Sequence, residues 1–155
     1  LTFILNSYFL PFIVQNIDDK EKIKNYLYVK RPRILAVGVI GIIFFVFIIP
    51  DAFSWIYGNV YNESINVLRI LLIGDIIALY NIFYTPILNS LKKYRFTQIS
   101  NLVHVSVNIL LNIILIPIIG IYGAAVATVI AYCTKTLIFE VYIYKKINSK
   151  NFFLQ

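Results

Sequence analysis

Apolar runs separated by connections of alternating charge constrain this chain more than any other feature. The runs cover roughly residues 3–17, 34–49, 67–91, 99–119 and 121–144. The first connection holds Lys20, Lys22, Lys24, Lys30, Arg31 and Arg33. The second, around Asp51 to Ser64, holds no base. Lys92, Lys93 and Arg95 lie in the third, none in the fourth from Pro117 to Tyr122, and Lys145, Lys146 and Lys150 in the tail. If the runs are spanning helices, every base outside them falls on one side of a bilayer. Basic loops resist translocation and stay in the cytoplasm. The expectation is an all-α, multi-pass membrane protein with its basic connections and C-terminus cytoplasmic.

Composition agrees. Of 155 residues 60% are hydrophobic and only 14% charged, where a soluble domain carries about 25% charged residues. A water-soluble core of this size cannot hide so many apolar side chains. The net charge of +7 does not point to nucleic acid, because the bases sit between spans and form no nucleic-acid motif. Attraction to anionic inner-leaflet lipids accounts for them.

The expected organisation has four parts. Residues 1–17 form the end of a truncated transmembrane helix, with a kink near Pro11. Residues 18–33 form a basic cytoplasmic linker lying on the headgroups, with Asp18 or Asp19 capping a short helix. Residues 34–144 hold four transmembrane helices, at about 34–49, 67–91, 99–119 and 121–144. Residues 145–155 form a cytoplasmic tail. The run 34–49 covers only about 24 Å of a ~30 Å hydrocarbon core. Phe53, Trp55 and Tyr57 follow it as an aromatic belt at the outer interface. The chain contains no methionine and is expected to be a fragment of a longer protein.

Enzyme chemistry has nothing to stand on. There is no glycine-rich phosphate loop, nucleophile elbow or pair of carboxylates at glycosidase-like positions. With one cysteine, Cys133, and one histidine, neither an internal disulfide nor a metal cluster can be built, and no cofactor is expected. Cys133 reads as a packing residue.

Polar residues within the runs are the functional candidates, since polar groups avoid lipid and face protein or water. Asn101, His104, Asn108 and Asn112 fall within roughly 80° of one helix face. They read either as hydrogen-bonding glue between helices or as the wall of a cavity touching a polar substrate. His104 is either a hydrogen-bonding partner or a proton carrier. Asp75 is the most costly residue to insert. It reads as a cation or proton coupling site, or as the partner of Arg69 or Lys135. Arg69 either snorkels to headgroups or clamps a phosphate or pyrophosphate. Lys135 either snorkels or meets substrate. Glu140, near the inner boundary, is expected to be solvated.

The stretch Leu115 to Thr128 is first a packing device. Pro117 and Gly120 end one span, and Gly123, Ala124, Ala125, Ala127 and Thr128 open the next with little side-chain bulk, which lets backbones approach closely in lipid. The same stretch resembles bacterial polysaccharide flippases. These O-antigen and capsule repeat-unit transporters belong to the multidrug/oligosaccharidyl-lipid/polysaccharide superfamily and are related to multidrug and toxin extrusion proteins. Asn112, Ile116, Pro117, Gly120, Gly123, Ala124, Ala125, Ala127 and Thr128 fit the pattern of that family. Leu68 to Leu72, Pro86 to Leu91, and Pro11 with Lys20 to Lys24 look like its flanking segments, so the likeness covers about residues 8–150.

The resemblance implies about twelve to fourteen helices in two lobes, of which this chain supplies the last four and part of a fifth. It implies alternating access that carries an undecaprenyl-pyrophosphate-linked oligosaccharide to the outer leaflet for surface polysaccharide synthesis. The implied partners are that lipid-linked oligosaccharide, membrane lipids, an N-terminal lobe of the same chain and a polysaccharide polymerase. The matched positions are structural and carry over no substrate-binding residue. A cation-coupled multidrug exporter of the same superfamily and a non-transporting membrane scaffold remain the alternatives.

Overall fold

The computed structural model describes residues 11–16, 19–57 and 62–148. Most of the expected first helix end, the connection at 58–61 and the tail from 149 onward lie outside the described residues. The chain is an all-α, multi-pass membrane protein. Four helices are long and apolar enough to cross a bilayer, and no strand occurs among the described residues.

A helical segment, α1, occupies 11–16. Asp19 then adopts extended backbone and accepts a hydrogen bond from the Lys22 amide at 3.1 Å, starting α2 (Lys20–Asn25). A carboxylate there satisfies an orphan N–H and suits the helix dipole. That bond holds the Asp19 carboxyl below the ordinary aspartate range.

The helix does not stop where the linker was expected to end. A π-helical turn (Tyr26–Lys30), in which the Arg31 amide reaches the Tyr26 carbonyl, joins α2 to α3 (Arg31–Tyr57) without a break. The apolar run from Ile34 is too short to cross alone, and the helix gains length by starting at Lys20. Within 20–33, Ile23, Tyr26 and Leu27 are buried in the core cluster. The π turn widens the backbone by one residue.

The third run is interrupted. Helix α4 (Asn62–Ile82) ends at Phe83, and α5 (Tyr84–Ser90) carries on. Pro86 explains the break: it has no N–H to offer the Ile82 carbonyl, and its ring crowds that group. Lys92 then takes a left-handed φ of 55° in the turn leading to α6 (Tyr94–Ile119). Gly120, at φ 61°, closes α6 and donates its N–H to the Ile116 carbonyl at 2.9 Å. The chain then reverses into α7 (Ile121–Asn148).

Helix α7 is the hub, packing against both α6 and α4, and α4 packs against α3. Small residues set these approaches. A Cβ on Gly123 would lie 2.5 Å from the Leu115 carbonyl, and one on Gly74 would lie 3.3 Å from Val129. Ala127 and Ala131 continue the buried face of α7. The dense core gathers toward the basic end, where Ile13, Ile23, Tyr26, Leu27, Phe83, Tyr84, Ile87, Leu88, Phe139 and Ile143 cluster. Away from it, large apolar side chains face outward: Phe47 is 73% exposed and Ile113 67%. Exposure on that scale calls for lipid or another apolar protein surface. Trp55, from the expected aromatic belt, is also exposed.

Candidate functional site

Among the described residues two polar clusters lie within the bundle, and the sequence pointed to one of them. The first is on the α6–α7 seam. Asn108 and Asn112 are one turn apart on α6, so their side chains meet. The Asn112 amide donates to Asn108 Oδ1 at 3.0 Å, and the Asn108 amide donates to Thr128 Oγ1 of α7 at 3.2 Å. The Thr128 hydroxyl in turn donates to the Ala124 carbonyl at 2.9 Å. His104, one turn before Asn108, lies against Tyr132 with ring centroids 4.8 Å apart. Its buried Nδ1 and Asn112 Oδ1 have no hydrogen-bond partner among the described residues. The seam is thus held by neutral groups and keeps spare bonding capacity. Asn101, the fourth amide-face residue, is exposed and joins none of these bonds.

The charged candidates stand apart from that seam. Asp75 lies exposed on α4 and makes no ion pair among the described residues. Neither base considered as its partner reaches it. Arg69, also exposed, donates to Asn66 Oδ1 at 3.2 Å. Lys135, half-buried on α7, holds its ammonium 5.4 Å above the Phe139 ring, a cation–π placement. Cys133 is exposed rather than packed.

The second cluster went unread in the sequence. Arg31 opens α3 and is 5% exposed. Its guanidinium stacks 3.8 Å from the Tyr80 ring centroid and 4.8 Å from that of Tyr84. It donates to Tyr80 Oη and to Glu140 Oε1, the latter at 3.5 Å, while the Tyr80 hydroxyl donates to the same carboxylate oxygen. Arg31 Nε and Nη1 are buried with no hydrogen-bond partner among the described residues. Helices α3, α4, α5 and α7 therefore meet at one buried cation. Glu140 is not simply solvated: its side chain is 39% exposed and partnered.

Tyr80, Glu140, Leu35, Val39, Ile76, Ile77 and Thr136 line a cavity of about 360 Å³ beside this cluster. Its lining is mostly apolar, with Tyr80, Thr136 and Glu140 the polar members. Nothing in the sequence placed these side chains together, since Arg31, Tyr80, Tyr84 and Glu140 lie on four different helices. Among the described residues no group of three or more His, Cys, Asp or Glu is placed to hold a metal ion. No family model, curated protein or solved structure matches this chain.

Proposed function

We propose that this chain is part of a transporter that moves an undecaprenyl-pyrophosphate-linked oligosaccharide across the bacterial cytoplasmic membrane for surface polysaccharide synthesis. The observation that supports the reading is the α6–α7 hairpin. Its sequence resembles the flippase pattern, and both of its glycines have a physical task there: Gly120 takes a positive φ and Gly123 has no room for a Cβ. Thr128 of the same pattern accepts the bond from Asn108. In this proposal the basic ends face the cytoplasm. Asp75, exposed and unpaired among the described residues, is the coupling site for a proton or sodium ion, and Asn101 is the amide free to meet sugar hydroxyls. Arg69 and Lys135 are the bases available to pyrophosphate.

The test is genetic. Expressed in a bacterium lacking its repeat-unit transporter, the open reading frame that encodes this chain is expected to restore surface polysaccharide. Asp75→Asn is expected to lower that rescue and its dependence on the ion gradient. Dye efflux without rescue would assign the chain to the drug-exporting branch.

A non-transporting scaffold is the second reading, and the Asn108–Thr128 bond favours it because the amides face a helix rather than an open cavity. In a Cys133→Ser background, Asn101→Cys is expected to react with a water-soluble thiol reagent and Asn108→Cys to stay protected. Protection at both positions, with no transport, would select the scaffold.

A further inference from the structure

A groove runs between the first turns of α6 and the last turns of α7, with a volume of about 460 Å³, lined by Phe96, Leu137, Ile138, Val141, Tyr142 and Lys145. We infer that it binds an anionic glycerophospholipid, with the phosphate at Lys145 and an acyl chain along Val141 and Leu137. These three residues recur at intervals of four and so share one face of α7. Leu137 is 64% exposed and Val141 53%, so the apolar part of the groove is open to an occupant. Phe96 and Tyr142 stack with centroids 4.1 Å apart and planes 25° off parallel. That pair gives the groove a firm aromatic wall against which a flexible chain can pack.

Charge selects the headgroup. Lys145 and Lys146 lie in the last turn of α7, and Lys92, Lys93 and Arg95 surround the start of α6. None of these five bases makes an ion pair among the described residues. The nearest carboxylate along α7, Glu140, is engaged by Arg31. A soluble anion would neutralise Lys145 and leave the apolar wall bare. A neutral lipid would cover the wall and leave the lysine unpaired. An anionic phospholipid satisfies both, with its phosphate on the Lys145 ammonium and an acyl chain on the wall.

The test is native mass spectrometry of the full chain released from detergent after titration with phosphatidylglycerol or phosphatidylcholine of identical acyl chains. The wild type is expected to retain phosphatidylglycerol preferentially. Lys145→Gln is expected to weaken that retention about fivefold and leave phosphatidylcholine unchanged. Leu137→Trp, which fills the groove from an exposed position, is expected to weaken both; Val141→Trp replaces it if helicity falls. Lys92→Gln, outside the groove, is expected to match the wild type. The inference is overturned if Lys92→Gln loses as much as Lys145→Gln, since diffuse attraction would then suffice. It is also overturned if the tryptophan variants retain lipid normally, if glycerol phosphate without acyl chains competes, or if the groove variants abolish a dimer that excludes lipid.

Discussion

At the basic end of the bundle Arg31, Tyr80 and Glu140 join α3, α4 and α7 through charge; at the seam toward the hairpin Asn108, Asn112 and Thr128 join α6 and α7 through neutral groups. Both place polar atoms among apolar helices, yet their energetics differ. A buried ion that loses its partner keeps a desolvation cost of several kcal/mol. An amide that loses one hydrogen bond forfeits about 0.6–2 kcal/mol. The charged cluster therefore fixes which helices must meet, while the neutral seam adjusts how two helices already joined by a tight turn pack together.

Removing the carboxylate breaks the comparison most sharply. Glu140→Leu strands Arg31, and because Glu140 is itself more than a third exposed the loss is expected at about 2 kcal/mol rather than the larger value of a fully buried pair. The double variant Arg31→Met, Glu140→Leu is expected to recover to within about 1 kcal/mol of the wild type, because no buried ion remains. Unfolding by denaturing detergent in mixed micelles, read by circular dichroism, measures both. A double variant no better than the single one would show that Arg31 acts through ring stacking instead of charge.

Gly123→Ala comes next. The new methyl group would meet Leu115 backbone atoms at 2.5 Å, and backbone cannot rotate out of the way. The α6–α7 crossing must open, at about 1–2 kcal/mol. The same method is expected to show that loss, together with a weakened Asn108–Thr128 contact visible as faster amide exchange in α7. Asn108→Leu removes only the bond itself and is expected to cost about 0.6 kcal/mol, with Thr128→Val adding little more because the two share one interaction. If Asn108→Leu cost as much as Glu140→Leu, the contrast between charged and neutral clusters would fail.

The seam was legible in the sequence because its signal is local. Amides spaced at helical intervals within one apolar run define a face, and Gly120 with Gly123 define a reversal. The Arg31 cluster was not legible, because its parts lie far apart in the chain and each has an ordinary local explanation. Arg31 counts naturally among loop bases until the helix is known to begin at Lys20. Glu140 counts as an interfacial acid until α7 is known to bring it beside Tyr80. The π turn that carries Arg31 into the bundle leaves no pattern in residue type. Periodicity likewise could not place the break at Phe83, although Pro86, four residues after the Ile82 carbonyl, gives its physical cause.

Asp19 sharpens the comparison by holding charge constant and removing burial. Its carboxylate caps α2 and pairs with Lys22 at 3.4 Å, with both side chains about half exposed. Water and salt screen such a pair, so it contributes far less than Arg31–Glu140. Its carboxyl is nonetheless held below the ordinary aspartate value, chiefly by the bond from the Lys22 amide. A depressed folded value means that the contribution is complete above the unfolded pKa and lost as pH falls through the folded one. The loss therefore lies below about pH 4. Nuclear magnetic resonance of the Lys22 amide is expected to show the bond weakening only there. Asp19→Asn, which caps equally well without a titrating group, is expected to flatten that response while leaving α2 helical at neutral pH. A response that persisted in Asp19→Asn would trace the pH dependence to another group. Exposed charge would then have no part in starting the helix that carries Arg31 to its partners.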